Sequence, residues 1–278
     1  KPYQCPYDVV VNINGDPTSR MAFAWYTNDR MTDGQVQLTP ITDITTLAKA
    51  FDAATDVITV AATPTATKKS RYAIGASGIP AATGVAQSTK YKYTSHKAIA
   101  ENLTPNTTYA YRVGTDGYWS EVAYFTTAPK NEEDASEEFT FIYMTDSHIL
   151  NQTYIDDVNQ TATAAVTNIP EAKFCVFAGD HVETGAQGNA EWEWERWFEE
   201  AMRPVLKQMP VVPTDGNHDD SPNLNYSYHF NTDNQFKENA KVKPQFDGIT
   251  YSFMYGDVLF LVFSMQDYWK GNPNMSGL

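Results

Sequence analysis

Cysteine is almost missing from this 278-residue chain. Cys5 and Cys175 alone make neither a disulfide framework nor a thiolate zinc site. Cys175, inside Lys173-Phe174-Cys175-Val176-Phe177-Ala178, reads as a small buried hydrophobe rather than a nucleophile. Long apolar runs are lacking too. The best is Val258-Leu259-Phe260-Leu261-Val262-Phe263, far short of the roughly 20 residues that span a bilayer, so no membrane span is expected. Positive charge is scarce: 20 Lys+Arg stand against 34 Asp+Glu, for a formal charge of −14 and a pI near 4.7. That balance weighs against a nucleic-acid polymer or an anionic membrane as partner. It leaves a small phosphorylated substrate or nucleotide open, because bound metal ions reverse the local field. What the chain does have is apolar mass: 42% hydrophobic and 13% aromatic residues, enough to offset chain entropy in one large domain or two ordinary ones. It opens at Lys1 rather than Met and shows no signal-peptide pattern, as a processed or trimmed chain does.

Residues 1–130 read as all-β. Short β-rich runs such as Asp8 to Ile13, Met21 to Thr27, Gln35 to Leu38, Thr108 to Val113 and Glu121 to Thr126 alternate with turns at Asn14-Gly15-Asp16-Pro17, Thr32-Asp33-Gly34 and Thr115-Asp116-Gly117. That rhythm predicts a β-sandwich. Thr45 to Ala54 reads either as part of it or as a short inserted helix. The stretch Leu103-Thr104-Pro105-Asn106-Thr107-Thr108-Tyr109-Ala110-Tyr111-Arg112-Val113 resembles the fibronectin type III signature, in which the first Tyr returns its hydroxyl to the backbone as a tyrosine corner. Trp25 is then the buried Trp of the sandwich, and His96 a strand residue without a role at a site. Residues 131–138, acidic and next to Pro129, read as a linker.

From 139 to 278 the rhythm becomes strand, helix, strand, helix, strand. Phe139 to Met144 is expected as a buried strand, Tyr154 to Asn168 as a helix ending before Pro170, and Phe174 to Ala178 as the next strand. Glu191 to Gln208 carries Trp194, Trp197, Phe198, Ala201 and Val205 at helical spacing, with Pro204 expected to kink or restart it. Pro210-Val211-Val212-Pro213 leads a third strand. An α/β layered domain with its ligands at the carboxyl ends of the strands follows.

Three polar clusters stand just past those three strand ends: Asp146-Ser147-His148, Gly179-Asp180-His181-Val182-Glu183 and Gly216-Asn217-His218-Asp219. Each interval fits one βαβ crossover, so all three can converge on one sheet edge. Hard oxygen donors with imidazole suit Mn, Fe or Zn better than a thiolate-seeking metal. A carboxylate between two such ions holds them about 3.5–4 Å apart, and the pair polarises a phosphoryl oxygen and activates water.

Asp146-x-His148, Gly179-Asp180 and Gly216-Asn217-His218-Asp219 resemble the first three motifs of the calcineurin-like metallophosphoesterases. The preceding sandwich, with Tyr118 to Pro129, resembles the N-terminal domain of purple acid phosphatases. The resemblance implies a two-domain chain: a fibronectin III-like sandwich over 1–130, then the N-terminal part of an α/β metallophosphoesterase domain over 139–278. It implies two divalent or mixed-valence transition-metal ions (Mn, Fe or Zn). Asp146 and His148 would bind the first ion, Asp180 would bridge, and Asn217 would bind the second. His218 would act as general acid, with Asp219 steering its imidazole. The activity implied is hydrolysis of phosphate mono- or diesters, and the usual location of such chains is secreted or periplasmic.

Two departures from the pattern stand out. Where purple acid phosphatases carry Asp-x-Gly and a Tyr ligand, this chain has His148 and Glu183, so no ferric-tyrosinate centre is expected; Glu183 is either a support for a ligand or a solvated loop residue. The family's later His and Gly-His-x-His motif do not occur before Leu278, which fits a fragment. It also fits the alternative function, a non-catalytic binding protein on a degenerate phosphoesterase scaffold. Of the remaining histidines, His181 is a candidate for contact with substrate or solvent, and His229 a weak candidate ligand.

Overall fold

The computed structural model describes residues 4–71, 90–130, 138–185, 191–219, 225–232 and 250–264. Most of the expected linker therefore lies outside the described residues. The strand-rich N-terminal region contains β1 (Tyr7–Asn12), β2 (Met21–Asn28), β3 (Gln35–Pro40), β4 (Ile58–Ala61), β5 (Thr63–Ala66), β6 (Ser70–Arg71), β7 (Lys90–Tyr91), β8 (Tyr93–Ala100), β9 (Thr108–Thr115), β10 (Tyr118–Trp119) and β11 (Ala123–Thr126). Between β3 and β4, Ile44–Lys49 is a 3₁₀ turn capped by the Asp43 carboxylate, which settles the open reading of that stretch as helical. After it come β12 (Ile142–Met144), α1 (Gln152–Asn168), β13 (Cys175–Phe177), α2 (Glu191–Arg196), α3 (Arg203–Leu206), β14 (Val211–Pro213), α4 (Asn225–His229), β15 (Tyr251–Tyr255) and β16 (Val258–Val262).

Two sheets pack in the N-terminal region. Phe23 and Trp25 from β2 meet Val36, Leu38, Tyr111, Val113 and Phe125 from the β10-β9-β3-β4 sheet and β11, which pairs with β9. Trp25 is 1% exposed and stacks on the ring of His96, its partner across β2 and β8. The His96 Nε2 meets the Thr27 hydroxyl at 2.8 Å, as befits a core histidine. Tyr109 performs the corner: its hydroxyl accepts the Thr104 amide at 3.0 Å.

In the C-terminal region β12, β13 and β14 run parallel, with α1 and then α2 and α3 as the crossovers. Helix α1 starts two residues earlier than expected because the Asn151 side chain caps the amides of Thr153 and Tyr154. The expected helix Glu191 to Gln208 is broken. Pro204 has no amide to offer the Glu200 carbonyl one turn back, so the chain widens into a π turn over Trp197–Ala201 and restarts at Arg203. Asn159 on α1 supplies the missing donor to that carbonyl at 2.7 Å. The first strand is also shorter than expected, and half-exposed rather than buried. Ile142 points into the core while Tyr143 is 63% exposed, the period-two alternation of a strand covered on one face. Cys175 is fully buried, and burial pushes its thiol up to about 12.

The two regions share one sheet, in the order β12-β13-β14-β1-β2-β8-β5. Strand β1 lies parallel to β14, with Asn12 opposite Val211, and the Ile13 amide donates to the Val211 carbonyl at 3.1 Å. Asn231 is stitched to Asn12, Phe23 and Ala98 by hydrogen bonds of its backbone and side chain. This explains why β2 is buried on both faces: Phe23 and Trp25 face the sandwich core, while Ala24 joins the core formed with α1, α2 and α3.

Candidate metal centre

The parallel strands end side by side, and their loops continue the ladder. The Asp146 amide donates to the Gly179 carbonyl at 3.1 Å and the His148 amide to the Asp180 carbonyl at 3.0 Å, which locks the first loop to the second. Asp146, His148 and Asp180 all hold left-handed backbones, with φ of 55°, 42° and 51°. Such conformations cost non-glycine residues free energy and concentrate where geometry serves a site. The third loop comes closer still. The His218 amide donates to Asp180 Oδ1 at 2.9 Å, and a Cβ on Gly216 would lie 2.0 Å from that oxygen, so only glycine fits.

Glu183 organises the imidazoles. Its carboxylate takes the His148 Nδ1 at 2.7 Å, and its backbone carbonyl takes the His218 Nδ1 at 2.7 Å. The two rings stand edge to face, 4.7 Å apart. His148 Nε2 is thereby turned toward Asp146 Oδ1 at 3.5 Å and Asp180 Oδ2 at 3.6 Å. His148, Asp180 and His218 each bring a donor atom within 4.8 Å of the others. Burial draws the pKa of His218 down, but the Glu183 carbonyl and the charges of Glu183, Asp180 and Asp219 outweigh it and leave it above 6.5.

These donors fit a transition-metal ion. Bonds of about 2.0–2.2 Å place neighbouring ligand atoms about 3–3.5 Å apart, the spacing around His148 Nε2. An imidazole whose other nitrogen is held by a carboxylate is the usual support of a metal-binding histidine.

The expected site residues thus fall into two groups. Asp146, His148, Asp180 and His218 come together, and Asn217 stands exposed on the turn that carries His218. Asp219 does not steer His218. Its fully buried carboxylate takes the His181 Nδ1 at 2.7 Å, together with the amides of His181, Val182 and Gly216. The reason is the left-handed turn at Asp180, which drives His181 inward among Phe177, Trp194, Trp197, Tyr226 and Phe230. His181 is therefore a core histidine, out of reach of substrate and solvent. His229 lies elsewhere, buried beside Asp8 and Glu191, with burial holding its pKa below 6.5.

Sequence reasoning passed over Glu193. Its buried carboxylate accepts the amides of Glu183 and Thr184 and the Thr184 hydroxyl, anchoring the loop that presents Glu183. Burial pushes its pKa up to about 7 against those hydrogen bonds. In the sequence it is one acid among several on an amphipathic helix.

Residues 139–273 match the family model of the calcineurin-like phosphoesterases. The C-terminal region is thus an α/β domain similar to the calcineurin-like phosphoesterases. Ahead of it, residues 6–127 match the N-terminal domain of purple acid phosphatases. Among solved structures, the purple acid phosphatase PPD1 from yellow lupin (Lupinus luteus) seeds superposes with a TM-score of 0.65 at 13% identity, over 93% of this chain and 44% of that one. PhoD gives a TM-score of 0.49 at 16% identity, over 94% of this chain and 52% of its own. The chain therefore spans less than half of the lupin protein. No curated protein matches the sequence. Within the phosphoesterase domain and the rest of the described residues, no helix is long and apolar enough to cross a membrane.

Proposed function

We propose that this chain supplies the core of a metal-dependent phosphoesterase that hydrolyses phosphate mono- or diesters of small molecules. One observation carries the reading: His148, held at Nδ1 by Glu183, aims Nε2 between Asp146 and Asp180 at ligand spacing. Asp146 and His148 would hold the first of two ions, Asp180 would lie between them, and Asn217 would serve the second. When bound, such ions supply Lewis acidity toward the phosphoryl group and a nucleophilic water at neutral pH. Asp180 is oriented for a shared role, since the His218 amide fixes Oδ1 while Oδ2 faces His148. His218 donates from Nδ1 to the Glu183 carbonyl, which leaves Nε2 to pass a proton to the departing alkoxide. Asp219 acts as a positioning residue that ties the second loop to the third. The acidic surface favours compact phosphorylated substrates over long polyanions.

The test is hydrolysis of chromogenic phosphate mono- and diesters by the full-length protein with Mn²⁺, Zn²⁺ or Fe. Asp180→Asn and Asn217→Ala should each abolish metal-dependent turnover while the protein stays folded. Full activity in either variant would overturn the assignment, and a wild-type protein that binds metal without turnover would favour a binding scaffold.

A further inference from the structure

A second polar group is sealed where the two regions meet. Asp8 on β1 is 1% exposed, Glu191 at the start of α2 is 3% and His229 at the end of α4 is 1%. Each brings one donor atom within 4.8 Å of the others. None lies in the phosphoesterase motifs, and none has a part in the reaction above.

The imidazole of His229 is clamped flat between Tyr26, stacked at 4.2 Å, and Trp194, stacked at 4.9 Å, so its nitrogens reach out only along the edges of the ring. Nε2 lies 3.1 Å from Glu191 Oε2, the spacing of two neighbouring ligand atoms about one ion as well as that of a hydrogen bond. Asn225 donates to the other Glu191 oxygen and fixes the carboxylate in place. Nδ1 is fully buried, has no hydrogen-bond partner and lies 3.9 Å from Asp8 Oδ2. The separation is too long for a hydrogen bond, and two carboxylates gathered round one imidazole in a dry interior call for positive charge among them. The Tyr26 hydroxyl, also buried without a hydrogen-bond partner, stands within reach of the charges of Glu191 and Asp8.

We propose that Asp8, Glu191 and His229 hold a divalent cation of the Zn²⁺ or Mn²⁺ class, a structural ion that fastens β1 to α2 and α4. One imidazole with two carboxylates suits those ions, whereas Mg²⁺ retains waters that this enclosed position has little room for. The three ligands come from segments distant in sequence, so the ion would tie the N-terminal region to the phosphoesterase domain independently of the catalytic centre.

The experiment uses the full-length protein carrying Asp180→Asn and His148→Ala, which disables the first centre. It is dialysed with Zn²⁺, then against metal-free buffer, and subjected to elemental analysis and thermal melting. One zinc per chain is expected to remain. Chelation should lower the melting temperature by several degrees, and Zn²⁺ should restore it. Adding His229→Gln should remove both the zinc and its effect on melting. Where that variant fails to fold, Glu191→Gln should weaken zinc binding tenfold or more. A doubly substituted protein that keeps no zinc and melts alike with and without it overturns the proposal, as a pocket holding only water would. So does zinc retained at unchanged affinity after either His229→Gln or Glu191→Gln.

Discussion

Replacing Gly216 by alanine is a sharp test of how the centre is built. A Cβ there would stand 2.0 Å from Asp180 Oδ1 and 2.3 Å from the Asp180 amide nitrogen, whereas ordinary contact begins near 3.4 Å. The neighbouring atoms belong to backbone and to a carboxylate already held by the His218 amide, so no flexible tip can swing aside. Relief requires a shift of about 1.4 Å between the second and third loops, well beyond the roughly 0.5 Å tolerance of a working site. Misplacement of about 1 Å costs on the order of 10²-fold in rate, and overpacking costs about 1–3 kcal/mol of stability. Gly216→Ala should therefore bind Zn²⁺ or Mn²⁺ at least 10²-fold more weakly in calorimetric titration, with a melting temperature only modestly lowered. Gly117→Ala is the control. Nothing lies within 4 Å of its added Cβ, and its φ of +84° imposes backbone strain without touching the centre. If Gly216→Ala bound metal within twofold of wild type, the close approach of the loops would not be what shapes the ligand set.

Glu183→Gln keeps the backbone carbonyl that holds His218 but removes the charge behind His148, so metal affinity should fall about 10–100-fold in the same titration. Unchanged affinity would mean that the carboxylate does not orient the ligand. His96 offers a separate test of the sandwich core, since burial lowers its pKa to about 4 against the opposing pull of Asp33. The unfolded ring protonates below about 6.5 while the folded ring stays neutral, so stability is full above that pH and falls by about 3 kcal/mol as pH drops through 4. Urea melts at pH 7 and pH 4 should show His96→Gln losing less stability on acidification than wild type by about that amount.

The three motif clusters were legible because each is local: a β-rich run, a turn signal and a short polar group, repeated at crossover spacing. Trp25 and the Tyr109 corner were legible for the same reason. The partner of Asp219 was not. The family resemblance implied His218, but the left-handed backbone at Asp180 reverses which side chains point inward, and no residue type announces that turn. The break at Pro204 was foreseen, whereas the donor that compensates for it, Asn159, lies on another helix and leaves no trace in sequence. The pairing of Asn12 with Val211 is equally invisible, since long-range parallel pairing has no periodic signature of its own.

That pairing has a mechanical consequence. With β1 paired to β2 on one side and joined to β14 at Asn12 and Ile13 on the other, the two regions are held by shared sheet bonds and a shared core rather than by a hinge. Denaturant should meet one cooperative block, and cutting the chain near residue 130 should leave the two pieces bound to each other instead of releasing them.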